Sequence, residues 1–173
     1  MSSTLCLAPP EQLSDELRHG RGEFLEERRA VASLSLFSAG IMGMIGLYQI
    51  GVLKKLPEPH LPHLNTERVT ASAQAYSFFS VPDAWLGLLS YGVTAALVAA
   101  GPKDRWTRAP ALPLAMAGKV LADVALAGKF TADQWTKHRA FCMWCLFSAG
   151  ATAATVPLVW KEASAAWRRL LSR

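Results

Sequence analysis

The feature that most constrains this 173-residue chain is a succession of long stretches almost free of charge. Residues 31–53 form an uncharged run of 23 residues, and residues 84–101 a second of 18, which Val81 and Pro82 can extend. Residues 140–160 form another of 21. Between the last two, residues 109–128 are apolar except for Lys119 and Asp123. A bilayer core about 30 Å thick is crossed by about 20 helical residues. A soluble domain this short has room for about one fully buried helix, not four in succession. The first run begins some thirty residues in, is too long for the apolar core of a signal peptide, and is followed by no evident cleavage site. The expected fold is therefore all-α, a polytopic transmembrane four-helix bundle over residues 31–160. A cytoplasmic amphipathic segment over 1–30 is expected to precede it, and a basic cytoplasmic tail over 161–173 to follow it.

Composition agrees. Half of the chain is hydrophobic (51%) and 18% is charged, against roughly 25% charged in an average soluble domain. Disorder is excluded on that ground, and three cysteines are too few for a disulfide-stapled secreted scaffold. The net charge of +5 gives no reason to expect a nucleic-acid partner.

The placement of Lys and Arg gives the expected orientation. Arg18, Arg21, Arg28 and Arg29 precede the first span. Lys103, Arg105 and Arg108 lie between the second and third, and Lys161, Arg168, Arg169 and Arg173 follow the fourth. Those eleven stand against six on the other side: Lys54, Lys55, Arg68, Lys129, Lys137 and Arg139. Both termini are therefore expected in the cytoplasm and both longer loops outside. Trp106, Trp135 and Trp160 fall at span ends, where interfacial indoles belong. Leu13, Leu17, Phe24 and Leu25 suggest a surface-lying amphipathic helix. Residues 161–173 read as a basic amphipathic tail on anionic headgroups. Residues 54–80, with Pro57, Pro59 and Pro62, should begin extended. Tyr76, Phe78, Phe79 and Trp85 are expected to hold that loop over the bundle mouth.

The sharpest chemical signal is Cys142-Met143-Trp144-Cys145. Two cysteines three apart at a helix start can close a disulfide within one turn, and free N–H groups at the helix N-terminus favour a thiolate there. Lys137 and Arg139 add to that effect, and on a continuous helix His138 would share a face with Cys142 and exchange a proton with it. Along the axis Cys145 lies about 4.5 Å deeper than Cys142, which places Cys142 nearer water. A redox pair, two inert buried thiols and half of a zinc site are the three readings. His60 and His63 sit in the Pro-rich loop, where solvation is expected rather than metal binding. Cys6 is expected cytoplasmic, reduced and without a role. Lys119 and Asp123 form an i, i+4 pair at mid-span, read either as an intramembrane polar site or proton path, or as a self-neutralising pair.

Three stretches resemble the vitamin K epoxide reductase family of membrane thiol oxidoreductases, which includes bacterial disulfide-forming members. Residues 36–51 (LFSAGIMGMIGLYQIG) look like the family's first span. Residues 78–92 are similar to its signature at the entry to span two, through Ser80-Val81-Pro82, Leu86-Gly87 and Tyr91. Residues 139–150 (RAFCMWCLFSAG) look like its Cys-x-x-Cys opening of span four. The resemblance implies catalytic Cys142 and Cys145 facing a quinone, ubiquinone or menaquinone, within a four-helix bundle of the bacterial inner membrane. It also implies membrane lipid as surroundings and a thioredoxin-like partner on the outer side. Cys145 would contact the quinone and Cys142 would form the mixed disulfide with the partner. The family normally carries two further loop cysteines that relay electrons, whereas residues 54–80 contain none and no thioredoxin-like domain is fused. The tyrosine that follows the motif by one turn in animal members is Ala149 here. A partner would then have to reach Cys142 and Cys145 directly. The competing expectations are a non-catalytic membrane scaffold or accessory subunit, and a lipid- or small-molecule-binding protein using Lys119 and Asp123.

Overall fold

The structure, a computed structural model, describes residues 9–172, so Cys6 lies outside the described residues. Chain order runs through α1 (Pro10–His19), α2 (Leu25–Gln49), the short α3 (Thr66–Thr70), a 3₁₀ turn (Ala73–Tyr76), α4 (Asp83–Ala99), the single turn α5 (Arg105–Arg108), α6 (Ala111–Asp133), a π-helical turn (Gln134–His138) and α7 (Met143–Leu171). Proline sets several starts: Pro10 opens α1, while Pro82 and Pro110 stand just before α4 and α6. A missing N–H costs nothing in a first turn, where N–H groups have no intrahelical partner.

The four long helices form an up-down bundle in which α2 packs on α4 and α7, and α6 packs on α7 and α4. Three of them (residues 25–49, 111–138 and 143–171) are long and apolar enough to cross a membrane. The fourth, α4, has 17 residues, or about 25 Å at 1.5 Å per residue. Side chains that a soluble bundle would bury lie outside, among them Leu36, Phe37, Leu89, Leu121, Leu126 and Phe147. Their chemistry suits lipid rather than water. Close helix approach comes from small residues, as where the Trp85 ring lies on Gly46 and Met42 lies on Gly87. Trp85 therefore joins α2 to α4 and is not a loop anchor.

Residues 57–80 and 134–142 sit together at one end of the bundle, and three charged side chains are buried at the other. Arg105 is fully buried and pairs with Glu162 through two bonds of 2.8 and 2.7 Å. It also donates to the carbonyls of Leu97, Val98 and Ala100. Arg28 donates to Val98, Ala100, Gly101 and Pro102. The carbonyls left open where α4 stops thus receive guanidinium N–H groups from other segments.

Two expectations change. The N-terminal stretch breaks at Gly20, so Phe24 and Leu25 open α2, with Phe24 edge-on to Trp106 at 6.0 Å, and do not continue an amphipathic helix with Leu13 and Leu17. Residues 161–171 are no separate surface tail. They continue α7, because Glu162 pairs with Arg105 and because Ala163, Ala165 and Ala166 are buried. Phe78 and Phe79 meet edge-on and are otherwise exposed, and polar contacts fasten the 54–80 loop to the bundle. Glu58 accepts from the Thr66 N–H (2.7 Å) and hydroxyl, Gln49 donates to the Thr70 carbonyl, and Gln74 donates to Asp133. Of the expected anchors, Tyr76 does tie the loop to α2, donating its hydroxyl to the Gln49 carbonyl at 2.9 Å.

Candidate functional site

Cys142 and Cys145 form a disulfide at the N-terminus of α7, with Cα atoms 5.2 Å apart. Among the described residues no group of three or more His, Cys, Asp or Glu is placed to hold a metal ion.

The local backbone explains the placement. The π turn at 134–138 swings Gln134 inward, and Arg139 in the left-handed region (φ 50°) ends the helix. Such turns occur often at functional sites. The chain then returns extended to Cys142, the N-cap residue of α7. The Cys142 sulfur accepts the Cys145 N–H at 3.1 Å, as a capping side chain does. The Cys142 N–H in turn donates to the buried Gln134 side-chain oxygen at 2.8 Å. In the dithiol form, the N–H aimed at Cys142 and the helix N-terminus both favour a thiolate on that sulfur.

A lid made from the 54–80 loop covers the pair. The Phe141 N–H donates to the His63 carbonyl (2.7 Å) and the Asn65 N–H to the Phe141 carbonyl (3.0 Å), in an isolated parallel bridge. The Trp144 indole N–H donates to the Pro57 carbonyl at 2.9 Å. Trp135 stacks on Phe141, meets the His63 ring edge-on and lies under Arg139. Beneath this lid Cys142 is 0% exposed, packed with Ile41, Ile45, Leu56 and Ala84. Cys142 stands at the N-terminal end of α7, as its spacing implies, yet it is not open to solvent, because the lid closes over that end. Cys145 is the partly exposed member, and Met42, Met44, Tyr48 and Trp144 pack against the same cluster.

His138 does not share a continuous helix with Cys142, since the π turn and Arg139 intervene. The premise of its proton exchange with Cys142 is thereby lost. His63 contacts Trp135 and His60 is exposed.

Lys119 and Asp123 are largely buried and paired. The ammonium also donates to the Ser90 carbonyl (2.6 Å), the Ser90 hydroxyl (2.9 Å) and Thr94, while Ser90 donates to Asp123 at 3.0 Å. Sequence reasoning missed a second hydroxyl network between this pair and the disulfide. Ser148 donates to the Tyr91 hydroxyl at 2.9 Å, and Tyr91 bonds Thr152 at 2.9 Å. A signal for it was present. Ser148, Thr152 and Thr155 recur along one face of an otherwise apolar span, beginning three residues after Cys145. Gln134 and Gln49, which support the site, carried no such pattern.

The model of the vitamin K epoxide reductase family matches residues 29–160. No curated protein and no solved structure matches the chain.

Proposed function

Because this chain belongs to the vitamin K epoxide reductase family and is an integral membrane protein, we propose that it is a quinone-linked thiol oxidoreductase. The observation that carries this reading is the disulfide itself, one sulfur sealed under the lid and the other half-open among apolar side chains. Met42, Met44, Tyr48 and Trp144 pack against the same cluster as Cys145; such soft or flat side chains suit a lipid-soluble ring, and with Cys145 they would hold it. Ubiquinone or menaquinone would serve as the acceptor, supplying a two-electron, two-proton sink when bound. The balanced reaction is dithiol plus quinone giving disulfide plus quinol.

The chain's own part is to keep the two sulfurs unequal. Cys142, capped by the Cys145 N–H, carries the thiolate and recloses the bond onto Cys145. Cys145 exchanges electrons on the apolar side. Gln134 fixes the Cys142 backbone, so the sulfur stays at the helix end through both redox states. With no loop cysteine to relay electrons, a thioredoxin-like partner on the outer side exchanges with the pair directly, once residues 57–66 lift. The setting is the bacterial inner membrane with both termini cytoplasmic.

The test is the redox state of the pair in native membranes, read by thiol alkylation with quinone present and depleted. Accumulation of the dithiol on depletion supports the reading, and an unchanged disulfide rejects it. The burial of Cys142 favours a second reading, a non-catalytic membrane scaffold or accessory subunit. The Cys145→Ser variant separates the two. A turning-over enzyme retains its partner as an unresolved mixed disulfide on Cys142, and a scaffold yields no thiol-sensitive adduct.

A further inference from the structure

All four long helices contribute to a small cavity within the bundle, walled by apolar side chains such as Leu34 and Val120 with polar groups among them. Ser38 lines it from α2, Tyr91 and Thr94 from α4, Asp123 from α6, and Thr152 and Thr155 from α7. About 10 Å³ is open there to the centre of a water molecule, close to the roughly 10–15 Å³ that a single buried water occupies on that measure. Ser38 is 1% exposed, and its hydroxyl is the one buried side-chain polar atom among the described residues with no hydrogen-bond partner. A polar atom left unpaired in a bundle interior is costly. Here it lines a cavity shared with a carboxylate and several hydroxyls, and buried waters occupy sites that offer two to four polar partners.

We propose that this cavity is a single-water site in which the water accepts from Ser38 and donates to the Asp123 carboxylate and to the Thr152 hydroxyl, all of which line it. The bound water closes the gap between the two polar networks of the bundle. On one side stand Lys119, Ser90, Thr94 and Asp123. On the other stand Thr152, Tyr91 and Ser148, the last one helical turn from Cys145. Water completes a chain of exchangeable protons from the mid-membrane ion pair to the helix end that carries the disulfide. The pair is then neither isolated nor idle, and its hydrogen bonding senses whether Cys142 and Cys145 are joined.

The site rests on the cavity and Ser38, not on the quinone, so both arms of the test use the full chain alone in detergent micelles. The first arm compares thermal unfolding midpoints of wild type and Ser38→Ala. With water present the alanine removes hydrogen bonds and lowers the midpoint. In a dry cavity it removes an unpaired hydroxyl and raises the midpoint, which overturns the proposal. The second arm records infrared difference spectra between disulfide and dithiol forms, in ordinary and heavy-oxygen water. The expected result is a water O–H stretching band that shifts with the oxygen isotope in wild type and disappears in Ser38→Ala and in Asp123→Asn. Absence of that band in wild type, or its persistence in Ser38→Ala, overturns the proposal. Loss of quinone dependence in membranes would remove the function proposed above and leave both arms standing.

Discussion

At the scale of single residues, the two cysteines differ in what surrounds them more than in their chemistry. Cys142 is sealed by Leu56, Ala84 and the 57–66 segment, while Cys145 is partly open. Reduced protein treated with a small alkylating agent is therefore expected to label Cys145 first. Cys142 should label only as the lid opens, and mass spectrometry at short exposure checks the order. Equal labelling would show that the lid does not cover Cys142. The motif itself was readable from its spacing and from its place at a helix start. The inverted accessibility was not, because the covering residues lie some 80 positions upstream. Burial made by distant chain is invisible to local pattern. His138 illustrates the complementary failure. The i, i+4 argument assumed a continuous helix, and one residue in the left-handed region at Arg139 cancels it.

At the scale of elements, the 54–80 loop is fastened to the bundle by hydrogen bonds. Glu58 holds Thr66 twice, and a hydrogen bond to a charged group contributes about 1.5–3 kcal/mol. The Glu58→Ala variant should therefore open the loop roughly ten- to a hundredfold more often, since 1.4 kcal/mol corresponds to about tenfold. Limited proteolysis within residues 54–80 reads that increase. Three prolines foretold the extended start of this loop. Its fastenings were hidden because Glu58 and Thr66 follow no periodic pattern. Long helices were legible for the opposite reason, since an uncharged run of twenty residues leaves a chain few other conformations. The boundaries were less so. Glu162 looks like the end of a membrane span until Arg105 is placed beside it.

At the scale of the whole molecule, the bundle is pinned at its second end by Arg28, Arg105 and Glu162. In the sequence Arg28 and Arg105 count only toward orientation, and Glu162 falls within the expected basic tail. Their convergence depends on three chain-distant segments meeting, which composition does not record. Removing one partner of a buried pair leaves the other uncompensated, at a cost of about 3–5 kcal/mol. Arg105→Ala should therefore unfold at markedly lower temperature, and Arg105→Met combined with Glu162→Leu should recover much of the loss. Equal stability of the single and double variants would show that the charge is not what destabilises. Reporter fusions after residues 65 and 105 should report opposite faces of the membrane, because these positions lie at opposite ends of the bundle. The length of α4 also bears on how thick a bilayer the protein prefers. Its 17 residues span about 25 Å, and they carry exposed Leu89 and Val93. Acyl chains beside this helix must then shorten to match it. In vesicles of graded phosphatidylcholine chain length, the unfolding temperature should peak with the shorter chains and fall as the bilayer thickens.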